Sequence, residues 1–151
     1  MDDKLFEFIA DLTTSALKRD HPIFEVFREQ WNVARKYLRQ GKLEFTGVGF
    51  YYYYLIPEPV RRLSIRSWTL GDIGGYVNGD YVYCRLHIGE GMLEAIDGRV
   101  LDEWPQVIHE YIVNPPSWST EEIEPLIQSL IRKNPALGFE LEQLQRGQKP
   151  N

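Results

Sequence analysis

The chain has 151 residues, with 22 acidic side chains against 17 basic ones, a net charge of −5, 43% hydrophobic residues and one cysteine. That length supports a hydrophobic core without metal or disulfide staples, and Cys84 has no partner for a bridge. The longest apolar run, 47–57, is about half of the roughly 20 residues a spanning helix needs, and the charged opening Asp2-Asp3-Lys4 is unlike a secretory signal, so one cytoplasmic domain over 1–151 is expected.

At the N-terminus, Leu5, Phe8 or Ile9, Leu12 and Ala16 recur at helical spacing, with Asp2 and Asp3 at the positive end of the helix dipole. Lys18-Arg19-Asp20 stops this helix. Asp20 is placed to cap a second one with Pro22 in its first turn, and its apolar face holds Ile23, Phe27, Trp31 or Gln30, Ala34 and Leu38 before Gly41. The pair reads as a helical hairpin.

The period then shortens to two. From Leu43 to Ile56 both alternating faces are apolar, which predicts one long central strand bent at Gly47 or Gly49 and ended by Pro57-Glu58-Pro59. Leu63 and Ile65 alternate with Arg62, Ser64 and Arg66 in a half-exposed strand. Gly71-Asp72-Ile73-Gly74-Gly75 lacks the lysine of a phosphate loop and reads as a turn or bulge. Asn78-Gly79 between Tyr76-Val77 and Asp80-Tyr81-Val82 predicts a two-residue hairpin. The strand after it turns Val82, Cys84, Leu86 and Ile88 inward and Tyr81, Tyr83, Arg85 and His87 outward. Strands at Met92–Ile96 and Arg99–Leu101, separated by a turn at Asp97-Gly98, and a last extended run at Val107–Val113 complete the sheet.

Ser119-Thr120-Glu121-Glu122 is a capping box opening a helix with the stripe Ile123, Leu126, Ile127, Leu130 and Ile131. Phe139–Leu144 adds a helical turn, and 146–151 is expected to fray. The predicted fold is α+β: an N-terminal helical hairpin, an antiparallel sheet of five to six strands and a C-terminal helix.

Charge is unevenly spread along this layout. Between Ser67 and Pro125, eleven carboxylates stand against Arg85 and Arg99, a local balance of −9. Such a field disfavours nucleic acid and anionic membrane and favours a basic protein partner.

Catalytic and metal-binding patterns are missing. His21, His87 and His109 belong to no ligand motif, and Cys84 alternates with core positions, so neither a metal nor a cofactor nor a catalytic residue is expected. The tyrosines of Phe50-Tyr51-Tyr52-Tyr53-Tyr54 must divide between the two faces of a strand, one pair under the helices.

Phe45-Thr46-Gly47-Val48-Gly49-Phe50, Gly71-Asp72-Ile73, the stretch Leu86–Gly98 and Asp102-Glu103-Trp104-Pro105 together resemble a group of small uncharacterised bacterial proteins with a sheet built around a similar Phe-Thr-Gly pattern. The resemblance covers roughly 45–105 and its motifs are structural. In size and charge alone the chain also resembles immunity proteins that neutralise cognate toxins.

These features lead to a non-enzymatic protein-binding domain, most concretely an immunity or antitoxin-like protein. Asp97, Asp102, Glu103, Trp104 and Glu110 are the expected partner contacts, an aromatic anchor ringed by acids. A second expectation is a small-molecule-binding or hydrolytic domain with a pocket lined by Tyr52, Tyr54, Tyr81, Tyr83 and His87. A third is a structural subunit that self-associates through an edge strand.

Overall fold

The computed structural model describes residues 3–148. Helices α1 (Asp3–Leu17) and α2 (Ile23–Ala34) open the fold, and a 3₁₀ turn, Arg35–Gln40, follows α2. The apolar stripe of α1 is wide enough to bury Phe8 and Ile9 together, with Leu5, Leu12 and Ala16. Asp20 does not cap α2. Pro22 is the N-cap residue, and His21 before it holds the first turn: its Nδ1 accepts from the Ile23 N–H at 3.1 Å, and its carbonyl accepts from Phe24. Both Gln30 and Trp31 are interior. The Gln30 amide donates to the carbonyls of Arg61 and Gly91 and accepts from the Leu93 N–H, so a buried polar group ties α2 to the sheet with its hydrogen bonds made.

Six antiparallel strands follow: β1 (Lys42–Phe45), β2 (Gly49–Tyr53), β3 (Ser67–Val77), β4 (Asp80–Gly89), β5 (Met92–Arg99) and β6 (Tyr111–Asn114), in the spatial order β1-β2-β5-β4-β3-β6. The long strand expected over 43–56 is instead a hairpin at the sheet edge. Phe45 pairs with Phe50, Gly47 takes the turn at φ +87°, and Thr46 N–H bonds to the Gly49 carbonyl. A continuous apolar run cannot distinguish one strand covered on both faces from two strands joined by glycines.

Two further corrections concern neighbouring segments. Residues 54–66 contain no strand, although Leu63 and Ile65 are buried as their alternation suggests. Their backbone is held by side chains instead: Glu140 accepts from the Ser64 N–H and Asn134 from the Arg66 N–H. Asp97-Gly98 is not a turn but the interior of β5, where Asp97 pairs with both Tyr51 and Arg85. Gly98 is needed for close packing, since a Cβ there would strike the Phe50 ring. The last run shortens to β6, and Asn78-Gly79, with φ of 50° and 83°, makes the expected tight hairpin.

Two irregularities reset which residues face inward. In β3, Trp68 and Leu70 are buried before a bulge at Gly71-Asp72, and Ile73 and Val77 after it, so inward positions pass from even to odd numbers. The bulge directs Asp72 to the helical layer. There Arg19 grips its carboxylate with two hydrogen bonds of 2.7 Å, and the Trp118 N–H adds a third at 2.8 Å. A second shift lies between His87 and Ile88, opposite β5.

The capping box forms as expected at Ser119 and Glu122, opening α3 (Thr120–Lys133). This helix buries Ile123, Ile127 and Leu130, while Leu126 is exposed. Where only a turn and a fraying tail from Arg146 were expected, α4 (Pro135–Gln148) is a full helix anchored by Leu137, Leu141 and Leu144; 149–151 lie outside the described residues. The fold is thus α+β with helices at both ends of the chain and a six-stranded antiparallel sheet. One core joins all four helices to one sheet face, through contacts such as Phe8 on Phe50, Trp31 on Tyr54 and Phe24 on Trp68.

Candidate functional site

Side chains on the other sheet face are largely exposed. Antiparallel register aligns Lys42, Tyr53, Ala95, His87 and Thr69 in one row and Glu44, Tyr51, Asp97 and Arg85 in the next. His87 is the centre of a hydrogen-bonded chain: Nε2 lies 2.6 Å from the Asp97 carboxylate and Nδ1 lies 3.2 Å from the Thr69 hydroxyl. A carboxylate only accepts, so Nε2 carries a proton and donates to Asp97. The ring stacks on Tyr51 at 5.6 Å, and Arg85 Nε approaches Asp97 at 3.3 Å. Burial and the Asp97 carboxylate push the Tyr51 phenol up, which keeps it protonated and neutral. Farther along the same face, Tyr76, Tyr81 and Tyr83 pack edge to face with centroids 5.4 and 4.6 Å apart, beside Ile112. Tyr83 is 54% exposed and Ile112 62%.

The second exposed feature is the 100–110 segment, which runs from β5 to β6 past the end of the sheet. Val100 N–H bonds to the Val48 carbonyl and Trp104 N–H to Gly47, both at 2.9 Å. At its other end, the Asn78 side chain donates to the Val107 carbonyl and accepts from the N–H groups of His109 and Glu110. These bonds fix both ends of the segment. Leu101, 89% exposed, and Val107, 56% exposed, project to solvent with Asp102, Glu103 and Glu110 also exposed.

The expected partner contacts therefore separate. Asp102, Glu103 and Glu110 are on this exposed segment. Asp97 is not: at 7% exposure its carboxylate is held between His87 and Arg85 on the helix-free face. Trp104 is 8% exposed and packs on Phe50 at 5.3 Å, so it anchors the segment to the core instead of presenting itself to a partner. The expected pocket is not assembled. Tyr52 and Tyr54 lie beneath the helices, where Tyr52 donates to the Leu38 carbonyl and Tyr54 shares a 2.6 Å hydrogen bond with Thr13, whereas Tyr81, Tyr83 and His87 are on the opposite face. Burial raises both interior phenols, Tyr52 to about 12.

Cys84 is interior and burial pushes its thiol up, far from a reactive thiolate. Among the described residues no three His, Cys, Asp or Glu side chains converge as a metal site, and no helix is long and apolar enough to cross a membrane. Leu101 and Val107 are the exposed features that pattern reading missed. They look like strand residues in the sequence, and the signal available was the place of Leu101 beside Asp102 and of Val107 two residues after Pro105. Comparison with family models, curated proteins and solved structures finds no match.

Proposed function

We propose that this chain is a non-enzymatic protein-binding domain, most concretely an immunity or antitoxin-like protein that neutralises a basic toxin through its acidic 101–110 segment. The observation that carries the proposal is the pinned segment with Leu101 and Val107 exposed among Asp102, Glu103 and Glu110. Exposed aliphatic side chains on a backbone fixed at both ends supply desolvation energy with little ordering cost, and the surrounding carboxylates steer a cationic surface toward them. A toxin that binds nucleic-acid phosphates carries such a cationic surface. Asp97 and Trp104 act from behind, by holding the sheet and the segment in place.

The test is quantitative affinity capture with the wild-type chain and the Asp102→Lys/Glu103→Lys variant as baits, at low and high salt. A basic protein retained by the wild type, released by salt and lost from the variant is the expected result. Equal recovery on both baits, or retention indifferent to salt, overturns the electrostatic proposal.

A further inference from the structure

We infer that the helix-free face of the sheet is a self-association surface, on which a second copy of this chain docks face to face through Tyr76, Tyr81, Tyr83 and Ile112.

The composition of the surface comes first. Tyrosine and arginine on a rigid scaffold are the residues that interfaces favour, since each contributes large contact area with few torsions to freeze. Here the three tyrosines are already locked edge to face by one another, and Ile112 extends the patch onto β6. The scaffold is the hairpin end of the long β3–β4 ladder with the β6 edge strand beside it, all hydrogen-bonded sheet, so docking requires no backbone rearrangement.

Charge then selects the occupant. The face carries Lys42, Arg85 and Arg99 against Glu44, Glu94 and Asp97. Lys42 pairs with Glu44 at 2.9 Å and Arg85 with Asp97 at 3.3 Å, while the Glu94 carboxylate lies against Gly89. Arg99 has no ion pair among the described residues and stands in register beside Tyr83. The face is therefore electroneutral on a chain whose net charge is −5. Two copies meet here without opposing net charge, whereas a cationic partner is drawn to the 101–110 segment instead. In an isologous pairing each contact occurs twice, and Arg99 of each copy reaches the tyrosine rings of the other as a cation over an aromatic face.

Size requires the contact to spread from this patch over the rest of the face. With strands about 4.8 Å apart and a rise of about 3.3 Å per residue, a six-stranded face of this kind offers on the order of 700 Å². A stable interface takes roughly 800 Å² from each partner. Edge pairing is the competing mode, but both edge strands, β1 and β6, have only four residues.

This inference stands independently of the acidic segment. Sedimentation velocity and light scattering over a dilution series test it on the full chain. The wild type is expected at twice 17.7 kDa, dissociating on dilution. Tyr83→Glu/Ile112→Glu is expected to be monomeric with an unchanged circular dichroism spectrum, and Arg99→Glu to weaken the dimer by about tenfold. Asp102→Lys/Glu103→Lys should leave it intact. A wild type monomeric at every concentration overturns the inference. So does a dimer that survives both Tyr83→Glu/Ile112→Glu and Arg99→Glu, or one abolished only by Glu44→Pro, which would indicate pairing through the β1 edge. Should the double variant unfold, Arg99→Glu alone decides, because its side chain is exposed and outside the core.

Discussion

Tyr51, Tyr52, Tyr53 and Tyr54 are four identical residues in a row, and the sheet gives them two different chemistries. Tyr52 is fully buried in the core and Tyr54, partly buried, packs against it, each with its hydroxyl in a hydrogen bond and its phenol raised by burial. Tyr51 and Tyr53 lie on the helix-free face, half exposed, one stacked on His87 and the other beneath Lys42. Residue type does not distinguish them; strand parity does. The same division runs through the whole molecule: one face is committed to the core, and the other carries the His87–Asp97 network and exposed rings.

Truncation on the core side should have the largest effect. Tyr52→Ala removes a fully buried ring and leaves the Leu38 carbonyl without its donor, so urea denaturation should register a loss of about 3–5 kcal/mol. Next comes the link between the layers. Asp72→Ala leaves the Arg19 guanidinium, 7% exposed, without its anion, and a loss of about 3 kcal/mol is expected by the same measurement. A change under about 1 kcal/mol would show that water replaces the carboxylate there.

A smaller effect lies in the pH dependence. Burial lowers the pKa of His21 below its ordinary 6.5, although Glu124 opposes the shift, and the ring's Nδ1 is occupied by the Ile23 N–H. A histidine depressed in the folded state takes up its proton more readily when unfolded. Stability from this group is therefore complete above about pH 6.5 and declines as pH falls toward the lowered folded value. Thermal melts between about pH 8 and pH 5 should show that decline, and His21→Leu should flatten it. The smallest effect belongs to the exposed face: Tyr83→Ala should alter unfolding free energy by no more than about 0.5 kcal/mol. A loss comparable to that of Tyr52→Ala would mean that the two faces are energetically alike.

Local patterns made α1, α2 and α3, the Asn78-Gly79 hairpin and the Ser119 capping box legible, because each is written in residues within a few positions of one another, whereas the full length of α4 was not. The inward set of β4, Val82, Cys84, Leu86 and Ile88, is equally local and appears as expected. What escaped depends on partners far away in the chain. Gly47 and Gly49 serve a bend or a hairpin equally well until β5 takes Gly49–Tyr53 as its neighbour. Asp97-Gly98 has the composition of a turn, and only the approach of Phe50 from another strand explains its glycine. At the candidate surface, Asp102 and Glu103 were legible as exposed acids. The interior fate of Asp97 and Trp104 was not, since it rests on Arg85, His87 and Phe50.

The bulge at Gly71-Asp72 makes β3 a strand of two halves whose inward positions are numbered out of phase. A substitution in either half is a local insult, but a one-residue deletion at Gly71 is a different kind of event. It would remove the one extra residue that β3 carries against β4 between Leu70 and Ile73, so Trp68, Leu70, Ile73 and Val77 would all keep the core face of a regular strand, while Asp72 would turn to the opposite face and leave Arg19. The spare residue is thus not needed for the apolar pattern: what it adds is one carboxylate on the core face between Leu70 and Ile73, and with it the tie to Arg19 and to the Trp118 N–H.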